Sequence, residues 1–228
     1  MESFLTGPHI VYHSLIAFMT FFIIVLLFIL YKKIPNICTT KHEFNLFKQM
    51  STSKKVESFL SELRVLIGAD RVSLIRFHNG QEFLPNNPVW KISSDHQVVA
   101  DGVSYEDIEG VLVSRIPNII EPLITGETTE SGIKIPGPCE KCPNNRLCEG
   151  TNNRIIWFDV DKMSGYAQSF LQKRGTSTAY LATINNSDDK VFGVLMVEYI
   201  DVVTGGAKIL NITQTICKYS TKLRFLFN

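Results

Sequence analysis

The chain has 228 residues, is 45% hydrophobic and sets 23 Lys and Arg against 22 Asp and Glu, for a formal net charge of +1. That balance implies no polyanion-binding face, so nucleic acid is not an expected partner. The length left after an N-terminal apolar segment suits one domain with a real core.

Residues 1–10 form a short head without Lys or Arg. The run VYHSLIAFMTFFIIVLLFILY follows, from Val11 to Tyr31, and stops at Lys32-Lys33. A helix of about 20 such residues spans roughly 30 Å, the thickness of a bilayer's hydrocarbon core. The segment 11–33 therefore reads as a single transmembrane helix. A cleaved secretory signal needs a basic region before the run and a small-residue site after it, and the sequence has neither. Tyr31, Lys32 and Lys33 have the character of interfacial anchors.

Residues 34–52 are expected to form a linker and juxtamembrane segment, with Pro35 breaking the helix. Lysines outnumber acids there, which suits anionic headgroups. By the positive-inside rule they favour a cytoplasmic soluble part.

The soluble domain is expected over 53–228. Ser53 is a candidate N-cap. Val56, Phe59, Leu60, Leu63, Leu66 and Ile67 fall on one helical stripe, and Gly68 suits a C-cap. Asp70–His78 is rich in β-formers, and Asn79-Gly80 favours a tight turn. Val89–Ser94 and Gln97–Val103 read as two short strands. Tyr105–Ser114 reads as a helix with acids near its N-terminus. A long polar loop spans about 126–153. Ile155–Phe158 reads as a strand, and Met163–Lys173 as a helix ended by Gly175. Thr178–Ile184 and Val191–Tyr199 read as a hairpin joined through residues 185–190. Lys208–Phe227 reads as a last helix with Ile209, Ile212, Ile216, Tyr219 and Leu223 on one face. This order predicts an α+β domain: one antiparallel sheet flanked by helices, with the first and last helices side by side on one face.

Chemistry is sparse. The sequence has no P-loop, no G-x-S-x-G, no H-E-x-x-H and no dinucleotide fingerprint, so no enzymatic activity and no cofactor are expected. His78 lacks an accompanying nucleophile and reads first as the end of a strand. A pocket built from His78, Trp90 and Trp157 is a further option, because a sheet under a long loop often leaves a concave apolar site. Cys139 and Cys142 form a C-x2-C pair with Cys148 close behind. These three can hold zinc with a ligand from afar, such as Cys217 or His78. They can also form a disulfide in an oxidising compartment, or remain thiols in a loop.

Two resemblances follow. The peptide Ala69–His78 after an amphipathic helix, and the hairpin Thr178–Tyr199 with its run Phe192-Gly193-Val194-Leu195-Met196-Val197-Glu198-Tyr199, resemble the start and end of a GAF-like (GAF/PAS-like) sensory domain. That implies small-ligand binding or protein contacts.

The whole-chain layout resembles the T-type holins of T-even-like bacteriophages. Its local echoes are Val56-Glu57-Ser58, Ala69-Asp70 before an aromatic-bearing strand, Gly193 in a run ending at Tyr199, and Ile216-Cys217. The holin resemblance implies a host inner-membrane protein with a periplasmic domain. It would self-associate in the bilayer, form lesions that release an endolysin, and be timed by an antiholin bound to the soluble domain. It also implies a pairing of Cys217 with Cys139, Cys142 or Cys148. Here the head lacks that family's basic charge. The alternative reading is a membrane-anchored cytoplasmic GAF-like sensory or ligand-binding protein.

Overall fold

The computed structural model describes residues 8–79, 89–127, 132–134, 154–185 and 190–227. Gly80, the 186–189 connection and Cys139, Cys142 and Cys148 lie outside these residues. The chain divides into two compact units, Met1–Ser51 and Thr52–Asn228.

A single helix, α1, is assigned from Pro8 to Ile67. The break expected at Pro35 does not occur. Residues 34–52 lie within this helix, and Ser53 is an interior residue, not an N-cap. Proline removes one backbone bond and kinks a helix without having to end it. From Glu43 to Lys55 no further Gly or Pro opposes helix.

Within the apolar run, side chains are described for His13 and from Leu15 to Ile29, and all are exposed. Lys32 Nζ lies 5.6 Å from the centroid of the Phe28 ring, a favourable cation–π placement. The side chains of Tyr31 and Lys33 lie outside the described residues. Among the described residues, no helix is long and apolar enough to cross a membrane.

The second unit contains β1 (Arg71–Asn79), β2 (Trp90–Val99), β3 (Val111–Leu112), α2 (Pro117–Thr125), β4 (Ile133–Lys134), β5 (Ile155–Asp159), α3 (Gly165–Lys173), β6 (Thr178–Asn185), β7 (Val191–Tyr199) and α4 (Gly206–Leu226). One seven-stranded sheet runs β3-β2-β1-β7-β6-β5-β4. Every neighbouring pair is antiparallel. The expected α+β architecture is therefore present. The two segments that carry the GAF-like resemblance, 69–78 and 178–199, are neighbours at the centre of this sheet.

Strand alternation sorts the side chains into two cores. On the first face, Val56, Leu60, Leu63 and Ile67 of α1 join Ile212, Ile216, Tyr219 and Leu223 of α4 over Val72, Leu74, Leu195 and Val197. Phe59 meets Tyr219 edge-on, 6.5 Å between centroids. The two helices do share one face, as expected. Leu66 is the exception, at 59% exposure. Gly68 ends the helix at φ +60°, the left-handed conformation a C-cap glycine supplies. On the second face, α2 and α3 cover Ile75, Ile156, Phe158, Leu181, Val194 and Met196.

Two local readings are corrected. The two strands expected over 89–103 are one strand, β2. Leu74 pairs with His96 and Ile75 with Ser94, so Asp95 is an extra, bulged residue. The bulge changes the alternation. Ile92 joins the second core while Val98 packs against the first, although six positions would otherwise put them on one face. Tyr105–Ser114 is not a helix; it contains an extended strap, then β3 and a 3-10 turn at Val113–Arg115. Its backbone is satisfied by side chains of β2 instead of by helical bonds. The helix in this region is α2, which starts on Pro117, where a missing N–H costs nothing.

The first core holds three tyrosines, Tyr180, Tyr199 and Tyr219. Burial pushes the Tyr180 phenol up to about 12. Burial does the same to Tyr219, helped by its hydrogen bond to Glu62, again to about 12. A raised phenol favours the folded state fully below pH 10, and that contribution is lost as pH rises from 10 towards 12. Absorbance titration should show exposed tyrosines ionising near 10 and these two only near 12, together with unfolding. A single ordinary transition for all tyrosines would contradict this core.

Candidate functional site

Beneath the second face, between the sheet and α2 and α3, lies a cavity of about 20 Å³. Its wall includes Ile75 and Phe77 of β1, Ile120 of α2, Phe170 of α3, Met196 of β7 and Ile108 of the strap. All its lining side chains are apolar. A volume of this size holds one water-sized sphere, and an apolar wall gives that water no partner. Phe77 and Phe170 are only partly buried at its margin.

The strap that bears Ile108 is held by side-chain bonds. Gln97 donates from Nε2 to the Glu106 carbonyl at 2.9 Å and accepts from the Glu106 N–H at 3.0 Å. The Ile108 N–H donates to Ser94 Oγ, and the Ser94 N–H donates to the Ile108 carbonyl, both at 2.7 Å. The Gly110 N–H donates to Ser93 Oγ at 2.9 Å.

Below the strap's start sits a buried ionic cluster. Arg71 faces Glu198 across the β1–β7 pair. Arg71, Arg174 and Glu198 are 1%, 5% and 1% exposed. Glu198 accepts from Arg174 Nε at 2.9 Å, Arg174 Nη2 at 2.7 Å, Arg71 Nη1 at 3.2 Å and Thr176 Oγ1 at 2.7 Å. The guanidiniums also reach the strap: Arg71 donates to the Ser104 carbonyl at 3.0 Å and Arg174 to that of Glu106. Two cations thus share one carboxylate, and strap carbonyls take up part of the remaining hydrogen-bonding capacity. The sequence reading missed this cluster. Its signal was an acid inside the apolar run of β7 and an Arg opening an equally apolar strand.

The pocket residues singled out from sequence are not brought together. Phe77 packs on the second face, so His78, next in β1, points to the first. His78 is exposed, with Nε2 at 2.9 Å from Ser93 Oγ. Trp90 pairs with Asn79 and is 48% exposed. Trp157 lies across the sheet on β5, stacked on Tyr180 at 6.2 Å. Trp90 sits opposite Asn79, one position beyond His78, so alternation turns the two to opposite faces, and β7 and β6 lie between β1 and the Trp157 strand.

Cys217 sits half-buried on α4, its carbonyl accepting from the Ser220 and Thr221 hydroxyls. Its candidate partners Cys139, Cys142 and Cys148 fall outside the described residues. Among the described residues, no group of three or more His, Cys, Asp or Glu is placed to hold a metal ion.

No family model matches the sequence, and no curated protein matches it. Nothing in the fold or the comparisons supports the holin resemblance. Among solved structures, the chain is similar to the blue-light absorbing form of the PixJ GAF domain from Thermosynechococcus elongatus, at 15% identity and TM-score 0.48, over 79% of this chain and 89% of that one. It is similar to a phycocyanobilin-bound GAF domain from a cyanobacterial phytochrome, at 16% identity and TM-score 0.46, over 79% and 89%. It is also similar to the GAF domain region of a putative membrane protein from Geobacter sulfurreducens, at 12% identity and TM-score 0.42, over 78% and 95%.

Proposed function

We propose that the chain is a membrane-anchored, GAF-like sensory or ligand-binding protein whose second face takes a small uncharged ligand. The observation that carries the reading is the wholly apolar cavity under α2 and α3. A charged ligand would lose its hydration there without compensation. A ligand larger than water must displace Phe77 or Phe170, the two partly buried aromatic rings at the margin. The ionic cluster is kept from chemistry by burial and serves to hold the wall in place.

The test uses the full chain in detergent. Saturation with benzene or indole should raise its melting temperature. At a hundredfold excess over Kd the gain is about 2.7 kcal/mol, or about 5 °C and upward for a domain of this size. Met196→Ala should enlarge the cavity and tighten binding of the same probes. No shift in either protein would sink the reading.

The anchor is read from the sequence: the uncharged run Val11–Tyr31, only part of whose side chains are among those described, has the length that fits a bilayer. Expressed in a bacterium, the full chain should stay in the membrane pellet after alkaline carbonate extraction. A chain lacking residues 8–33 should move to the supernatant. Extraction of the full chain would overturn the anchor. Alkaline phosphatase fused after Asn228 should be inactive if the positive-inside rule sets the orientation.

A further inference from the structure

We propose that Asp107–Gly110 is a limb that opens the apolar cavity, latched by the serine pair Ser93 and Ser94. The proposal rests on the reading that this cavity takes a ligand. From residue 103 to 110, only Ile108 is buried, at 2% exposure, and it forms part of the cavity wall. Withdrawing this one side chain therefore opens the cavity at the β2 edge without parting any two central strands.

The hydrogen bonds divide the strap into a fixed part and a movable part. Upstream, Ser104 and Glu106 are tied to Arg71, Arg174 and Gln97, three side chains that are each more than nine-tenths buried. Downstream, the chain turns at Gly110, whose φ of +59° a glycine adopts without strain. It then enters β3, which pairs with β2 over only two residues, Val111 and Leu112. Between these points the limb is held by Ser94 at Ile108, through its hydroxyl and its backbone N–H, by the Ser93 hydroxyl at Gly110, and by Ser94 Oγ at 3.2 Å from Asp107 Oδ1. Both serines are only half-buried, so water can replace their hydroxyls once the limb lifts. His78 touches the same latch through Ser93, which places it beside the gate and not inside the pocket.

Local opening of this kind exposes little apolar surface and leaves the β1–β7 ladder intact, so it should be far more frequent than unfolding. Amide hydrogen exchange on the full chain in detergent tests it. The Ile108 and Gly110 amides should exchange together, at least tenfold faster than the Ile75 and Val194 ladder amides, and at a rate insensitive to low urea. Ser94→Ala should quicken the limb by about tenfold, the worth of a bond of this kind, with the ladder unchanged. If Ile108 exchanges only with the ladder and with the same urea dependence, the limb does not open and the proposal fails. This wild-type measurement stands even if the variant does not fold. Benzene at saturation should slow the limb's exchange. Binding of benzene with a locked limb would overturn the gate and leave the ligand reading standing. An opening limb without benzene binding would uphold the gate and remove the ligand.

Discussion

Glu198→Ala is expected to destabilise the domain by about 3–5 kcal/mol, the cost of leaving buried charges without their partner. The carboxylate takes four hydrogen bonds, from Arg71, Arg174 and Thr176. Its removal leaves two guanidiniums, 1% and 5% exposed, with no anion among them. Both also hold the strap carbonyls of Ser104 and Glu106, so turning either to solvent would break those bonds too. Urea unfolding of the full chain in detergent, followed by Trp157 fluorescence, measures the loss. Glu198→Gln should recover part of it, since the amide oxygen still accepts. A loss below about 1 kcal/mol would show that the cluster is solvated and not the buried tie described above.

Leu60→Ala carries the second large effect, about 2–5 kcal/mol. Leu60 is fully buried in the core where α1 meets α4 and the sheet, so its truncation leaves a cavity there. Leu66→Ala, six positions on in the same apparent stripe, should change stability by no more than about 0.5 kcal/mol, because that side chain is 59% exposed. Thermal melts of the two variants against the parent decide it. Equal losses would mean that the stripe is buried as a whole and that α1 sits otherwise on its face.

Much of the sheet was legible because its strands are strongly periodic. Asp70–His78, Ile155–Phe158 and the 178–199 hairpin each fall within a residue or two of the strands found. Errors arose where side chains did the work of the backbone. The polar stretch Ser93–Gln97 looked like a strand boundary, yet a bulge carries the strand through it. The acids before Ser114 looked like a helix start, yet Gln97 and Ser94 hold that backbone extended. The ionic cluster escaped notice because Arg71, Arg174 and Glu198 are far apart in sequence and meet only through the central pairing. The pocket drawn from His78, Trp90 and Trp157 failed for the converse reason. Aromatic character says nothing about which side of a sheet a residue faces.

The central pairing of β1 with β7 also sets a timetable for the nascent chain. Arg71 and Glu198 are 127 positions apart, and no strand lies between them in the sheet. When β1 leaves the ribosome, its permanent neighbour has yet to be synthesised. Only the β2 side can form early. The β1–β7 seam must wait until the last strand emerges, and closing so long a loop is slow. Until then the apolar edge of β1 is open to wrong partners. The domain therefore becomes whole only once β7 has emerged, and any occupant of its second face must arrive after that point.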